Sequence, residues 1–591
     1  MTVSERISAL RQQMQIFHVD AYVVPSGDAH QSEYVADYWQ ARAWLSGFTG
    51  SAGVLVVTAT HAGLWTDSRY FLQAASELAG TEVVLHKLVV PHTPEHLDWM
   101  LGNLPEKAKV GMDGRQFSVS QLNQLERRLE VRGMTFQTEL DLVGMIWETR
   151  PPLPSTQVFE HPVEFAGLGR TEKLRLVRSR MEDQPYYLIS TLDDIAWLFN
   201  LRGSDVPCNP VFYAHAIIGR EQAWLFVDPG KIPDSIRAGL SADGIVLLPY
   251  EGLAAFLRES LHGPVRMDPA GTDVLSYRAC PAQFRRNGDN IVAALKAVKH
   301  SDEIRHLRHA MEKDGVAMVR FFRWLETNLA ENGLTESMVA TVLSRYRSEQ
   351  PHAMGDSFQA IVGYGANGAI VHYTAEAGLD ASLAPAGILL LDSGGQYLDG
   401  TTDITRTVAL GPPTDLERRD FTLVLKGHIA LASAVFPAGT TGVQLDILAR
   451  MPLWQELLNY GHGTGHGVGY FLNVHEGPQG IAPVSSAKSN TALVPGMILS
   501  NEPGIYREGM HGIRTENLVL CTPAGESDFG NFLCFETLSL FPIDRNLVDS
   551  SLLLPSEADW LNRYHAMVYD KLSPHLTEEE RDWLAGLCRP V

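Results

Sequence analysis

Three prolines in four residues, inside TRPPLPSTQ (Thr149–Gln157), limit the fold of this chain more than any other feature. Proline lacks the amide hydrogen that a helix interior or a central strand needs, so the segment reads as a linker. On either side of it the sequence has the same grammar. AYVVPSGDAH and AWLSGFTGSAGVLVVTATHAGLWTDSRYF precede it; YYLISTLDDIAWLFNLRGSD and FYAHAIIGREQAWLFVDPGKI follow. Each half has a β-rich run, a Trp-Leu pair (Trp44-Leu45, Trp197-Leu198), a Gly-Ser turn, and a strand pair with a second tryptophan, Trp65 or Trp224. This predicts a duplicated α/β unit, with one domain over 1–157 and its copy over 158–295. A third domain opens at 296. Ser301 is expected to cap a helix whose first turn holds Asp302 and Glu303, with Ile304, Leu307, Met311, Met318 and Phe322 on one face. Beyond about 541 a helical extension follows, with Pro555 and Pro574 at helix starts. The fold class is α/β (α+β).

At 591 residues and 45% hydrophobic, the chain can bury more than one core. Its 48 Lys and Arg against 69 Asp and Glu give a net charge of −21, which disfavours nucleic acid and anionic membrane as partners. The first residues carry charges throughout and do not read as a signal peptide, and no apolar run approaches the length of a membrane span. The cysteines, Cys208, Cys280, Cys521, Cys534 and Cys588, have no C-x-x-C spacing, as suits structural thiols in a reducing cytoplasm.

GILLLDSGGQYLDGTTDITRTVAL (Gly387–Leu410) sets Asp392 at the end of an apolar run and Asp403 in the next β-rich run. Carboxylates in such places are costly to bury unless a cation meets them. GMILSNEPGIYREGMHGIRTENLVL (Gly496–Leu520) repeats the pattern with Glu502 and Glu516, so the two segments read as copied hairpins. Between them lies NYGHGTGHGVGYF, with His462 and His466 on alternating glycines that argue against helix and for an extended or looped backbone packed close to something. Four carboxylates and an imidazole carry too much negative charge for one site unless divalent cations neutralise it, and two ions fit. The oxygen-rich donor set leans to Mn²⁺, with Co²⁺, Zn²⁺ or Fe²⁺ able to substitute. His466 would reach the ions and His462 stand behind it. His372, read as lying on a β-rich run in GAIVHY, and His475, in LNVHEGP, gain interest from the same neighbourhood. GYGANG (Gly363–Gly368) formally matches a dinucleotide fingerprint, but no helix is expected after it.

These residues resemble the metallo-aminopeptidases of the pita-bread fold, and among them the long, three-domain aminopeptidase P type. The matching segments are LDSGGQYLDGTTDITRT, HGTGHGVGYFLNVHEGP, NEPGIY, GIRTENLVL, WTDSRYFLQA and DWLNRYH, so the resemblance spans nearly the whole chain. It implies two creatinase-like N-terminal domains before a pita-bread catalytic domain. It implies Asp392, Asp403, His466, Glu502 and Glu516 as metal ligands, with a metal-bridging hydroxide as nucleophile and Glu502 as proton shuttle. His372, His462 and His475 would line the scissile bond, and Arg514 would support the metal carboxylates. His466 would also face the substrate, Arg69 would reach toward the peptide from the first domain, and Tyr506 would border a proline pocket with His372 and His475. The implied reaction is release of an N-terminal residue from a peptide with proline second, by a cytoplasmic homodimer joined through the catalytic domain. A prolidase-like dipeptidase shares the ligands but usually lacks the second N-terminal domain. Creatinase-like enzymes and histone-chaperone modules of the same fold have lost the carboxylates that stand here.

Overall fold

The structure is a computed structural model and describes residues 1–89, 94–330 and 333–591. It divides into two compact units. The first comprises Met1–Val163 with Leu168–Val292, and the second Glu164–Gly167 with Ala293–Val591.

The first unit holds two six-stranded sheets of one topology. In the first sheet the strands Ala21–Pro25, Val54–Thr58, Ala62–Thr66, Val84–Lys87, Lys109–Gly111 and Thr135–Gln137 lie in spatial order 4-3-2-1-5-6. In the second, Tyr186–Ile189, Ala214–Gly219, Ala223–Val227, Ile245–Leu248, Val265–Met267 and Arg285–Asn287 take the same order. The first three strands of each sheet pair antiparallel and the remaining contacts are parallel. The strand Ala21–Pro25 shows why so apolar a run is needed. Tyr22 and Val24 enter one buried cluster while Ala21 and Val23 enter another, so both faces of the sheet are covered. Trp65 and Trp224 stand on equivalent third strands. The Pro-rich segment between the sheets has no regular structure from 151 to 158.

The second unit opens with the helix Ser301–Asn328. Its cap is His300 and not Ser301: the His300 ring accepts from the Asp302 amide and Glu303 reaches back to the His300 amide, so Ser301 becomes the first helical residue. Leu307, Met311, Met318 and Phe322 are buried as expected, with Ile304 at the edge of the cluster. Two strand groups follow. Ile361–Tyr364, Ile388–Ser393 and Ile404–Ala409 form one antiparallel sheet; Ile498–Asn501, Asn517–Ser527, Gly530–Thr537 and Val435–Pro437 form the other. Helices Asp415–Ala432 and Gly442–Trp454 connect them in sequence. The extension ends in helices Pro555–Leu572 and Glu578–Leu587. Pro555 starts the first, but Pro574 lies in a short 3₁₀ turn, and Thr577 with Glu580 caps the second. Among the described residues no helix is long and apolar enough to cross a membrane.

Candidate metal centre and active site

Each carboxylate singled out from the sequence sits where a strand ends or begins. Asp392 is on Ile388–Ser393; Asp403 precedes Ile404–Ala409; Glu502 follows Ile498–Asn501; Glu516 precedes Asn517–Ser527. Within each pair a small hairpin intervenes: Gly395–Tyr397 with Gly400–Thr401 between the aspartates, and Gly504–Arg507 with His511–Arg514 between the glutamates.

These ends converge. One ligand atom each from Asp403, His466 and Glu516 lies within 4.8 Å of the others. His466 Nε2 is 3.4 Å from Asp403 Oδ2 and 3.5 Å from Glu502 Oε1. The other ring nitrogen, Nδ1, is 3.0 Å from the Gly467 carbonyl, and a proton donated there leaves the Nε2 lone pair facing the acids. Burial works against the imidazolium of His466, yet the hydrogen bond to Asp403 and the charges of Glu502 and Asp403 lift its pKa to about 9. Burial also raises Asp392, to about 6 with Asp403 and Glu502 adding to the shift and Arg514 opposing it. Burial with Asp403, Asp392 and Glu502 raises Glu516 well above the usual carboxylate range. Asp392 Oδ1 and Asp403 Oδ1 are buried with no hydrogen-bond partner among the described residues. Clustered acids with orphaned oxygens, facing an imidazole nitrogen that can give up its proton to a cation, are the donor set that divalent cations require.

The glycines around His466 have a steric reason. A Cβ on Gly465 would lie 2.0 Å from the Ser500 carbonyl oxygen, and one on Gly467 would lie 2.1 Å from that of Glu476. Only bare backbone fits between those strands, and Gly465–His466 pairs with Gly480–Ile481 in that space. His462 lies one layer back. Its Nε2 is 2.8 Å from the Tyr506 hydroxyl, which accepts from Arg514 Nη1 at 2.7 Å, while Arg514 Nη2 holds Asp392 Oδ2 at 2.6 Å. Burial pushes the Tyr506 hydroxyl up to about 12 despite the guanidinium beside it. His475 stands edge-on to His466, with ring centroids 4.2 Å apart.

His372 departs from expectation. It lies in a turn after the short 3₁₀ segment Gly365–Ala369, not on a strand. Gly368 and Gly512 meet backbone to backbone, since a Cβ on Gly512 would fall 1.6 Å from the Gly368 carbonyl oxygen. The buried Glu336 carboxylate takes the donors that a strand neighbour would have taken: the Tyr364 amide at 2.7 Å, Asn367 Nδ2 at 3.0 Å, the Tyr373 hydroxyl at 2.7 Å and the Ala381 amide at 2.8 Å. Arg69 belongs to the first unit, where its guanidinium is bound to Asp67 at 2.8 Å through both Nε and Nη2.

Three contributors escape sequence reasoning. Glu336 looks like any helix-face glutamate. Thr405 Oγ1 donates to Glu516 Oε2 at 2.6 Å, and a strand threonine carries no signal for that. Glu476, beside His475, is buried between Lys299 Nζ at 2.9 Å and Lys296 Nζ at 3.2 Å; its place in HEGP is the one available hint.

Acids and an imidazole gathered on strand ends of this fold define a metal-dependent peptidase. Residues 305–523 match the model of metallopeptidase family M24, residues 6–146 and 149–303 match creatinase/prolidase N-terminal domains, and 531–591 match the C-terminal region of peptidase M24. A probable Xaa-Pro aminopeptidase P of Laccaria bicolor is 41% identical over 100% of this chain and 94% of its own. Aminopeptidase P2 of Arabidopsis thaliana is 40% identical over 100% and 89%. The crystal structure of X-prolyl aminopeptidase from Caenorhabditis elegans, described as a cytosolic enzyme with a di-nuclear active site, superimposes with a TM-score of 0.95 at 34% identity, covering 100% of both chains. The chain belongs to the M24 metallopeptidases, in the Xaa-Pro aminopeptidase P family, with two creatinase-like α/β domains before a pita-bread catalytic domain and its C-terminal extension.

Proposed function

We propose that the chain releases the N-terminal residue from peptides whose second residue is proline. The observation that carries this reading is the convergence of Asp403, His466 and Glu516 with Asp392 and Glu502, where Asp392 Oδ1 and Asp403 Oδ1 are buried without a hydrogen-bond partner among the described residues, in a member of this family. Asp392, Asp403, His466, Glu502 and Glu516 would hold two divalent cations, with Mn²⁺ the ion that best suits four carboxylates and one nitrogen. Ions held there would supply a lowered pKa for bound water and polarisation of the scissile carbonyl.

The chain's own groups do the rest. Nδ1–H of His466 is fixed on the Gly467 carbonyl, which keeps Nε2 for ligation. Arg514 neutralises Asp392 and, through Tyr506, orients His462. Glu502, less buried than the other acids, takes and returns a proton at its carboxylate, while His372 and His475 steady the carbonyl oxygen of the substrate. His372, His475 and Tyr506 border the proline ring, and the acids favour the substrate's free α-ammonium. The assignment of Arg69 to the peptide rests on the family motif alone. A division into domains 1–157, 158–295 and 296–591, a homodimer and a cytoplasmic location belong to the same reading.

Mass spectrometry of three digests under Mn²⁺ tests it. A peptide beginning Arg-Pro-Pro should lose only its first residue, and an acetylated copy should survive. An Arg-Ala-Pro copy should be cut more slowly, by about 1 to 3 kcal/mol of lost pocket contact. Equal cleavage of the alanine peptide would mark a general aminopeptidase, and internal cuts would reject an exopeptidase.

A further inference from the structure

The C-terminal extension is bonded to Arg406, which with Ser539 holds the backbone of two of the acids. Arg406, buried on Ile404–Ala409, donates Nη1 to the carbonyls of Thr405 at 2.9 Å and Glu516 at 2.7 Å. Its Nε meets the carbonyls of Phe541 at 3.2 Å and Pro542 at 3.1 Å. Its Nη2 meets Asn517 Oδ1 at 2.8 Å, the Phe541 carbonyl at 2.6 Å and the Tyr564 hydroxyl at 2.7 Å. The Tyr564 hydroxyl, on Pro555–Leu572, also lies 2.9 Å from the Ser539 carbonyl and 3.0 Å from that of Phe541. Ser539 Oγ in turn donates to the Asp403 carbonyl at 3.1 Å and accepts the Leu518 amide at 2.8 Å. The main chain at Asp403 and at Glu516 is thus held by two side chains, Ser539 and Arg406, and the hydroxyl of Tyr564 bonds to both of their segments.

The acids need such restraint. Asp403 and Glu516 offer carboxylate oxygens within 4.8 Å of each other, and like charges that close push apart unless the backbone beneath them is fixed. A fully satisfied buried network resists that push, whereas one with a missing partner yields.

We propose that Tyr564 and Ser539 are positioning residues for the metal centre, which hold Asp403 and Glu516 at ligating separation through Arg406 and the Asp403 carbonyl. This makes the extension a working part of the site rather than an appendage, and it rests on the ligand assignment proposed above.

The test uses the full chain, stripped of metal with a chelator and titrated with Mn²⁺ in a calorimeter. The unmodified chain should bind two equivalents; if it takes up none, the ligand assignment falls and this proposal with it. Given binding there, Tyr564→Phe and Ser539→Ala should each raise the Mn²⁺ dissociation constant by about 10-fold or more, as partners behind metal ligands do. Leu584→Ala, in the buried face of the last helix, supplies the structural control. It should lower the melting temperature of the apo-protein yet leave the dissociation constant within about two-fold. Ser539→Ala alone decides the matter if Tyr564→Phe does not fold. Visible absorption of the Co²⁺ forms, which reports ligand geometry, should change in the two network variants and not in the control. Unchanged affinity in both network variants, or an equal loss in Leu584→Ala, overturns the proposal while leaving the ligand assignment intact.

Discussion

The aspartate half of the catalytic unit (388–409) and its glutamate half (498–527) share one plan: strand, acid, small hairpin, acid, strand. They differ in how their acids are held. Asp392 is gripped by Arg514, which the glutamate half supplies, and Glu516 by Thr405, which the aspartate half supplies. The other two acids, Asp403 and Glu502, flank His466 instead, at 3.4 Å and 3.5 Å. Each half therefore contributes one acid fixed by its opposite and one turned toward the imidazole. Neither half makes a site alone. The repeated plan supplies the acids, and the crossed donors give them their positions.

The largest effect should come from an acid turned to His466. Asp403→Ala should lose Mn²⁺ on elemental analysis and reduce turnover to background while the protein stays folded by circular dichroism. Two retained ions with normal activity would dissolve the distinction between the fixed and the turned acids. Next is a crossed donor: Arg514→Met leaves Asp392 buried without its cation. Denaturant titration of the apo-protein should then show a loss of about 3 to 5 kcal/mol. A smaller loss would mean that Asp392 does not depend on the opposite half. His372→Ala should keep both ions and lose on the order of 10² to 10³ in turnover, since its task is assigned to the substrate. Intact kinetics would remove it from the reaction.

Thr405→Val removes the other crossed donor, an uncharged one. Its cost should be about 1.5 to 3 kcal/mol in stability, below that of Arg514→Met. Parity between the two would show that charge is not what separates the halves. The smallest effect concerns acid. His565, which follows Tyr564, accepts the Ile543 amide at Nε2, and burial holds its pKa down near 4. A depressed histidine gives its full stability above the unfolded value of about 6.5 and loses it as pH falls toward the folded value. At pH 5.5 the loss should be about 1 kcal/mol relative to pH 7.5, read as a difference from His565→Gln in denaturant titrations. An identical pH dependence in the variant would clear His565 of that role.

The acids are legible in the sequence because a carboxylate among Leu and Ile residues demands an explanation from desolvation. His466 is legible because five alternating glycines cannot be helix, and the structure shows backbone packed against backbone there. The repeated Trp-Leu and Gly-Ser grammar anticipates two sheets of the same strand order. What holds the acids is not legible. Arg406 stands within a strand whose start Asp403 marks, yet its partners Glu516 and Tyr564 stand 110 and 158 residues away. His372 reads as strand because Ile370 and Val371 beside it are β-branched, while the buried Glu336 draws the segment into a turn. His300 takes the helix start from Ser301, since an imidazole can cap when a glutamate three residues on completes the box.

The order in which these parts occur along the chain bears on how the protein is made. A ribosome produces Asp392 and Asp403 first, His466 later, and Arg514, Ser539 and Tyr564 later still. A nascent chain thus carries its acids for a long stretch of synthesis without the groups that set them in place. With Tyr564 as a positioning residue, the metal site reaches its full affinity only once residue 564 is out and folded.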